Sequence, residues 1–271
     1  MRLAALPMYD LPELRPATDA WWRGLARAFR RQGIKEVPEA LDRGERRDAA
    51  ARDGRLLFGQ CCGYDLIRRP EALTLVATPV YRSPHCRGAQ YRSLIVVGDA
   101  SSATRLQDLR GGRCVINMAC SHSGHTALRH AIAPLAEGQG RFFRAVEVSG
   151  SHADSLARVR SGGADCTSVD CVTYALLARH RPAALTGLRV LVESAPAPGL
   201  PYVTAAGADD DLLARLRGGL RQALGDPALA AARDALLIEG IEVLPRRAYA
   251  RIEAMEAEAA APLLLESSDA G

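Results

Sequence analysis

Apolar segments alternate with helical segments between Arg113 and Glu193, and this alternation limits the possible folds more than any other feature of the chain. The apolar, β-branched runs predict strands at 113–117, 145–148, 164–169 and 188–193. Helical patterns between them begin at Ser123, His152 and Val172. Parallel neighbours in a sheet need a long crossover, usually a helix. The pattern therefore predicts a compact α/β unit with a parallel sheet.

The sequences on either side of this unit complete a second one. Strands are predicted at 3–8, 56–59, 73–78, 91–97 and 202–205, with a helix over 18–32 capped by Thr18 or Asp19, and two or three helices ending near residue 260. We expect two lobes, one of residues 1–98 plus 197–271 and one of residues 99–196, joined by two crossings. Ligands of such proteins are expected between the lobes, where strand ends and helix starts meet.

Composition excludes several classes of function. The chain has 271 residues, with 35 Lys and Arg against 31 Asp and Glu, and its basic residues are scattered among acids. Scattered charge is typical of solvated faces, so we expect no nucleic-acid partner. Apolar runs all fall short of the ~20 residues that cross a bilayer, so we expect no membrane insertion.

The cysteines and the N-terminus bear on compartment and cofactors. Seven cysteines without a C-x-x-C pair indicate neither a disulfide framework nor a zinc ribbon. The first ten residues lack the apolar core of an export signal, which favours the cytoplasm for the chain as written and the periplasm if a leader has been trimmed. Cofactor and resident-metal motifs are not evident, and we expect none of either.

One junction carries the strongest functional signal. Ser121, His122, Ser123 and Gly124 stand where a predicted strand gives way to a predicted helix. Backbone N–H groups at a helix start are unpaired and carry partial positive charge, so they attract anions, and hydroxyl side chains add donors. The same residues also suit an ordinary helix cap. The junction by itself leaves both interpretations open.

Several motifs, taken together, resemble one family: the phosphate, phosphite and phosphonate substrate-binding proteins of ABC transporters, which have the type 2 periplasmic binding protein fold. The similar segments are 91–97, 106–113, 121–124, 149–152, 169–170 and 240–242. The resemblance spans almost the whole chain. It implies an α/β fold of two lobes, each a mostly parallel sheet flanked by helices, with two crossover connections. It also implies a non-enzymatic protein that binds a small oxyanion for transport or intracellular sensing, with an ABC permease or a sensor protein as partner.

The resemblance also suggests which residues hold the ligand. Ser121, His122, Ser123 and Gly124, with the amide of His125, would bind the oxyanion, although His122 replaces the threonine of the family pattern. Ser151, at a second helix start, either adds donors or only caps its helix. Asp170 either faces a cationic arm of the ligand or caps the next helix. The residues expected on the facing wall are Tyr9, Gln60, Tyr64, Thr78 and Tyr91.

Two alternatives use the same region. Cys120, His122 and His125, together with Cys61 and Cys62, are ligand types that arsenite or a soft metal prefers. The other alternative is a cytoplasmic enzyme, because some relatives of the fold that lack export signals make precursors of menaquinone or thiamine. His122 or a thiol would then act as base or nucleophile.

Overall fold

The computed structural model describes residues 2–44, 47–136 and 141–259. Within these ranges the chain forms twelve β-strands and nine α-helices. The strands are β1 (Leu3–Ala5), β2 (Leu56–Gln60), β3 (Leu73–Tyr81), β4 (Gln90–Tyr91), β5 (Ser93–Gly98), β6 (Arg113–Ile116), β7 (Ala145–Val148), β8 (Cys166–Asp170), β9 (Leu188–Glu193), β10 (Ala197–Pro198), β11 (Tyr202–Ala205) and β12 (Ile238–Glu242). The helices are α1 (Arg15–Arg31), α2 (Arg47–Arg52), α3 (Gly63–Arg68), α4 (Ala127–Ala136), α5 (His152–Arg160), α6 (Cys171–His180), α7 (Asp210–Gly225), α8 (Ala230–Ala235) and α9 (Ala250–Glu258).

The chain divides into two compact units. The first comprises Met1–Gln90 and Pro198–Tyr249, and the second comprises Tyr91–Ala197 and Ala250–Gly271. This division differs from the boundaries expected from the sequence, which put residues 91–98 and 250–271 in the first lobe. β5 belongs to the second unit because it pairs with β8 and β9 there, and α9 belongs to it because it packs against α4. The chain therefore passes between the units three times, after residues 90, 197 and 249.

The first unit is built on a five-stranded mixed sheet with the order β1-β2-β11-β3-β12. β1 and β2 are parallel, whereas β11 runs antiparallel to β2 and β3, and β12 runs antiparallel to β3. Trp22 and Phe29 of α1 are fully buried and lie against Phe58 of β2, with ring centroids 6.3 Å and 5.2 Å from that ring. This aromatic cluster joins α1 to the sheet.

Helix α1 begins three residues earlier than predicted. Pro16 lies in its first turn, where a missing N–H costs nothing. The Thr18 hydroxyl donates to the Leu14 carbonyl at 3.1 Å, so Thr18 is inside the helix, and neither Thr18 nor Asp19 caps it.

The second unit is built on a sheet with the order β7-β6-β8-β5-β9. β6 is parallel to β7 and β8, and β5 is antiparallel to β8 and β9. Its core is formed by apolar residues of β5, β6 and α4 together with Phe142 and Phe143. Both sheets are thus mixed rather than mostly parallel. The apolar pattern of a strand is the same in either direction, so the connections decide direction.

In the described part of the chain, the helices fall short of the combined length and apolar character that a bilayer crossing requires.

Candidate functional site

The junction after β6 starts with a hydroxyl cap. Ser121 has extended backbone angles, and its Oγ accepts a hydrogen bond from the Gly124 amide at 3.1 Å. Its carbonyl accepts from the amides of His125 and Thr126, both at 3.2 Å. The following residues, His122–Thr126, form a π-helical turn that continues into α4. Such turns are rare and occur often at functional sites.

This arrangement leaves two backbone donors at the helix start. Among the hydrogen bonds of the described residues, none uses the amides of His122 or Ser123. Ser123 is 6% exposed, so these donors lie in a largely water-excluded place. Unpaired amides at the positive end of a helix favour a bound anion.

Gly124 allows the turn to pack closely against Asn117. A Cβ atom at this position would lie 1.8 Å from Oδ1 of Asn117 and 3.3 Å from Cε1 of His152. The Asn117 Oδ1 atom is buried and makes no hydrogen bond within the described residues. A larger residue here would therefore require the Asn117 side chain to move away from the turn.

His152 is the residue that the structure brings to Ser123. Its Nε2 lies 3.0 Å from the Ser123 hydroxyl, while the Ser168 hydroxyl of β8 donates to the Ser123 carbonyl at 2.6 Å. Burial lowers the pKa of His152 to about 4, and the Ser168 carbonyl opposes the shift. At neutral pH the site therefore holds an uncharged imidazole that exchanges a hydrogen bond with Ser123.

Ser151, predicted to donate to the ligand from the start of α5, instead contacts Asp154 of its own helix. It caps α5, because its Oγ accepts from the Asp154 amide at 3.1 Å and donates to the Asp154 carboxylate at 2.7 Å. The neighbouring histidine was therefore the residue that sequence reasoning missed. Its position as the first residue of α5, in the segment 149–152 already singled out, was the available signal.

His122 takes no part in this contact and lies against Tyr91. It is 1% exposed, its Nδ1 has no hydrogen-bond partner in the described residues, and its ring centroid lies 6.2 Å from that of Tyr91. Burial, followed by the charges of His130 and Arg251, lowers the pKa of His122 to about 4. Of the five residues predicted for the facing wall, Tyr91 is the one placed against this junction.

Asp170 ends β8 as a buried helix cap. Its Oδ1 accepts from the amides of Val172 at 2.7 Å and Thr173 at 2.9 Å, and the residue is 2% exposed. The cap that the sequence suggested is present. A contact between Asp170 and a ligand stays a prediction.

The four other predicted wall residues belong to the first unit and make internal contacts there. Gln60 donates to the Tyr81 hydroxyl at 3.0 Å and to the Leu200 carbonyl at 3.1 Å, and Tyr9 packs edge-on to Tyr81. Tyr9 and Gln60 share the lining of a cavity of about 20 Å³. Tyr64 and Thr78 lie apart from that cavity: Tyr64 accepts from Arg68 at 2.6 Å, and Thr78 shares a hydrogen bond with Tyr249 at 2.8 Å.

A larger cavity of the first unit, about 430 Å³, was not predicted. Three arginines line it, and each lies beside a carboxylate: Arg15 is 3.7 Å from Asp10, Arg43 is 2.7 Å from Asp10, and Arg47 is 2.9 Å from Asp48. Its charges are therefore largely compensated within the protein.

The described residues do not bring together the side chains that were named for the two alternatives. They contain no group of three or more His, Cys, Asp or Glu side chains placed to hold a metal ion. Cys120 is exposed, and Nδ1 of His125 lies 2.7 Å from the Ala119 carbonyl. His122 forms no hydrogen bond to a hydroxyl or thiol in this part of the chain, so no nucleophile is paired with it.

Comparison with protein families identifies the group to which these features belong. A profile described as "ABC transporter, phosphonate, periplasmic substrate-binding protein" matches residues 50–249, well over half of the chain and the whole stretch from Ser121 to Asp170. This chain is a member of that family. The resemblance seen in the sequence motifs is thereby confirmed. A search of curated proteins gave no match.

Solved structures confirm the fold. A binding protein component of an ABC phosphonate transporter from Pseudomonas aeruginosa is 14% identical, with a TM-score of 0.74 over 95% of this chain and 86% of its own. PhnD1 of Prochlorococcus marinus, in complex with methylphosphonate, is 14% identical, with a TM-score of 0.73 over 94% and 97% of the two chains. XAC2383 of Xanthomonas citri, bound to ATP, is 19% identical, with a TM-score of 0.70 over 95% and 96%. The family fold is thus the α/β type 2 periplasmic binding protein fold that the motifs implied.

Proposed function

We propose that this protein binds a small phosphorus oxyanion, namely phosphate, phosphite or a phosphonate, at the start of α4. The observation that supports the proposal most is the contact of Ser123 with His152 at 3.0 Å, beside the unused amides of His122 and Ser123. The two amides and the hydroxyl lie in the π-helical turn that precedes α4, and the imidazole comes from the first residue of α5. Membership of a phosphonate substrate-binding family fits the same chemistry.

The donors of this site are electrically neutral. The amides and the hydroxyl carry no charge, and His152, with a pKa of about 4, is uncharged at pH 7. A hydrogen bond to a charged oxygen is worth roughly 1.5–3 kcal/mol, so three or four of them offset the ordering cost of binding and leave micromolar affinity. Burial strengthens each bond because water does not compete for the donors.

Binding would serve uptake or intracellular sensing. In uptake the partner is an ABC permease, as expected for the family, and in sensing it is a signalling protein that reads occupancy. In both cases the ligand is released unchanged, since the proposal assigns no chemical step to the site.

The first experiment identifies the ligand. Because a ligand that binds the native state raises the melting temperature, a thermal-shift screen should include phosphate, phosphite, methylphosphonate, sulfate and arsenite. ATP belongs in the screen because the X. citri protein was solved with it. We expect stabilisation by phosphorus oxyanions, and mass spectrometry of the released ligand should show it unaltered.

The second experiment tests the site. Ser123→Ala and His152→Ala should each weaken binding of the selected anion at least several-fold in calorimetry. Ser161→Ala, at the opposite end of α5, removes a comparable hydroxyl from an exposed position and should leave affinity unchanged. Wild-type affinity in both site variants would show that the anion does not bind at the start of α4.

A further inference from the structure

Cys114 and Cys166 stand side by side in the sheet of the second unit. β6 and β8 are parallel, and their register pairs the Cα atom of Cys114 with that of Cys166. Both residues belong to the buried core cluster and are at most 1% exposed, so their side chains point to the same face of the sheet. Of the seven cysteines, these are the two that lie in strands.

This placement suits a disulfide. Neighbouring strands lie about 4.8 Å apart, and the Cα atoms of bonded cysteines are usually about 4.4–6.8 Å apart. Both cysteines are free thiols in the structure. From this register and shared burial, we infer that Cys114 and Cys166 form a disulfide when the chain folds in an oxidising environment.

The oxidant is a small disulfide such as oxidised glutathione. One protein thiolate attacks a glutathione sulfur and releases one reduced glutathione, leaving a mixed disulfide. The second protein thiolate then attacks the protein sulfur of that mixed disulfide and releases the other glutathione. Two protein S–H bonds are lost and one S–S bond forms, while the oxidant is reduced to two thiols.

The disulfide should form during folding, before the sheet closes around the two thiols. A hydrogen bond with Cys166 and burial raise the pKa of the Cys114 thiol well above its ordinary value. Because the thiolate is the nucleophile, the buried pair reacts slowly once the sheet has closed. The bond would join the strands that lead to Asn117 and that carry Ser168, the donor to the Ser123 carbonyl.

Refolding followed by peptide mapping tests the inference. Reduced protein is unfolded, refolded in a glutathione redox buffer, alkylated with iodoacetamide in denaturant and digested with trypsin. Residues 114–129 and 161–179 form tryptic peptides, each with two cysteines, so fragmentation must locate the bond. We expect these peptides to be linked through Cys114 and Cys166, and the oxidised protein to melt roughly 5–10 °C above the reduced one.

Two variants control the result. Cys114→Ala should abolish both the linked peptide and the rise in melting temperature. Cys86→Ala, a half-buried cysteine outside the strands, should keep both. Alkylation of both thiols in refolded wild-type protein would overturn the inference, as would a linkage of the same two peptides that persists in Cys114→Ala.

Discussion

At the scale of single residues, two histidines beside the junction after β6 are uncharged at neutral pH: His122, which is fully buried, and His152, which is partly buried. His122 and His152 both have a pKa lowered to about 4, in each case mainly by burial. The unfolded chain binds protons near the ordinary histidine pKa of about 6.5. As the pH falls below this value, the unfolded state gains protons that the folded state does not, so stability falls between about pH 6.5 and pH 4.

The pH dependence of His152→Gln tests this linkage. Each histidine should remove roughly 2 kcal/mol of stability between pH 7 and pH 5. His152→Gln cannot titrate, so its unfolding free energy should fall by roughly 2 kcal/mol less than that of the wild type over the same interval. Urea denaturation followed by circular dichroism at the two pH values measures the difference. Equal losses in both proteins would mean that the imidazole is not buried in its neutral form.

Some residues of the junction after β6 could be recognised from the sequence, whereas the contacts of others could not. Ser121 and Gly124 stood out in the sequence because a hydroxyl and a glycine at a strand-to-helix turn suit a helix cap or an anion site. The sequence does not show the close approach of Asn117, whose Oδ1 lies 1.8 Å from where a Cβ of residue 124 would be. The role of His152 depends on a contact 29 residues distant in the chain, which no local pattern encodes.

At the scale of elements, Asp170 links the end of β8 to the start of α6, which it caps. Asp170 accepts two backbone amides through one carboxylate oxygen while 2% exposed. Asp209 caps α7 with a single bond to the Leu212 amide at 2.8 Å from an exposed position. Substitutions at the two aspartates therefore allow a buried helix cap to be compared with an exposed one.

Asp170→Ala should cost roughly 2 kcal/mol of stability, and Asp209→Ala about 0.5–1 kcal/mol, since a cap residue is typically worth about 0.5–2 kcal/mol. Asp170→Asn retains an acceptor oxygen and should recover most of the loss. Melting temperatures of the three variants measure the order. If Asp170→Ala were no more destabilising than Asp209→Ala, burial would not strengthen this cap.

The pattern of apolar residues predicted many elements and failed where that pattern is weak. The strands at 145–148, 188–193 and 202–205 have the predicted bounds, because β-branched runs flanked by turn residues are unambiguous. β12 was not predicted, since Gly240 and two glutamates interrupt it and it is half exposed at the sheet edge. The short helix α3 was missed for a similar reason, as six residues show too little periodicity.

At the scale of the whole molecule, the path of the chain departs most from expectation. Ile252 and Met255 of α9 are fully buried, and α9 packs against α4 and the π-helical turn. The residue just before this helix, Tyr249, belongs to the other unit and bonds to Gly199 there. A helix that follows the first unit in sequence thus completes the core of the second.

Cavity-forming substitutions in α9 and in α7 should each destabilise a different unit. Met255→Ala should cost roughly 2–5 kcal/mol through lost burial and an unfilled cavity, and it should speed amide exchange in α4 and the π-helical turn. Leu216→Ala, equally buried on α7, should instead speed exchange in α1, β3 and β12 of the first unit. Hydrogen exchange read by mass spectrometry distinguishes the two patterns. Local opening follows the contacts that a substitution removes. If Met255→Ala sped exchange only in the first unit, α9 would not belong to the core of the second unit.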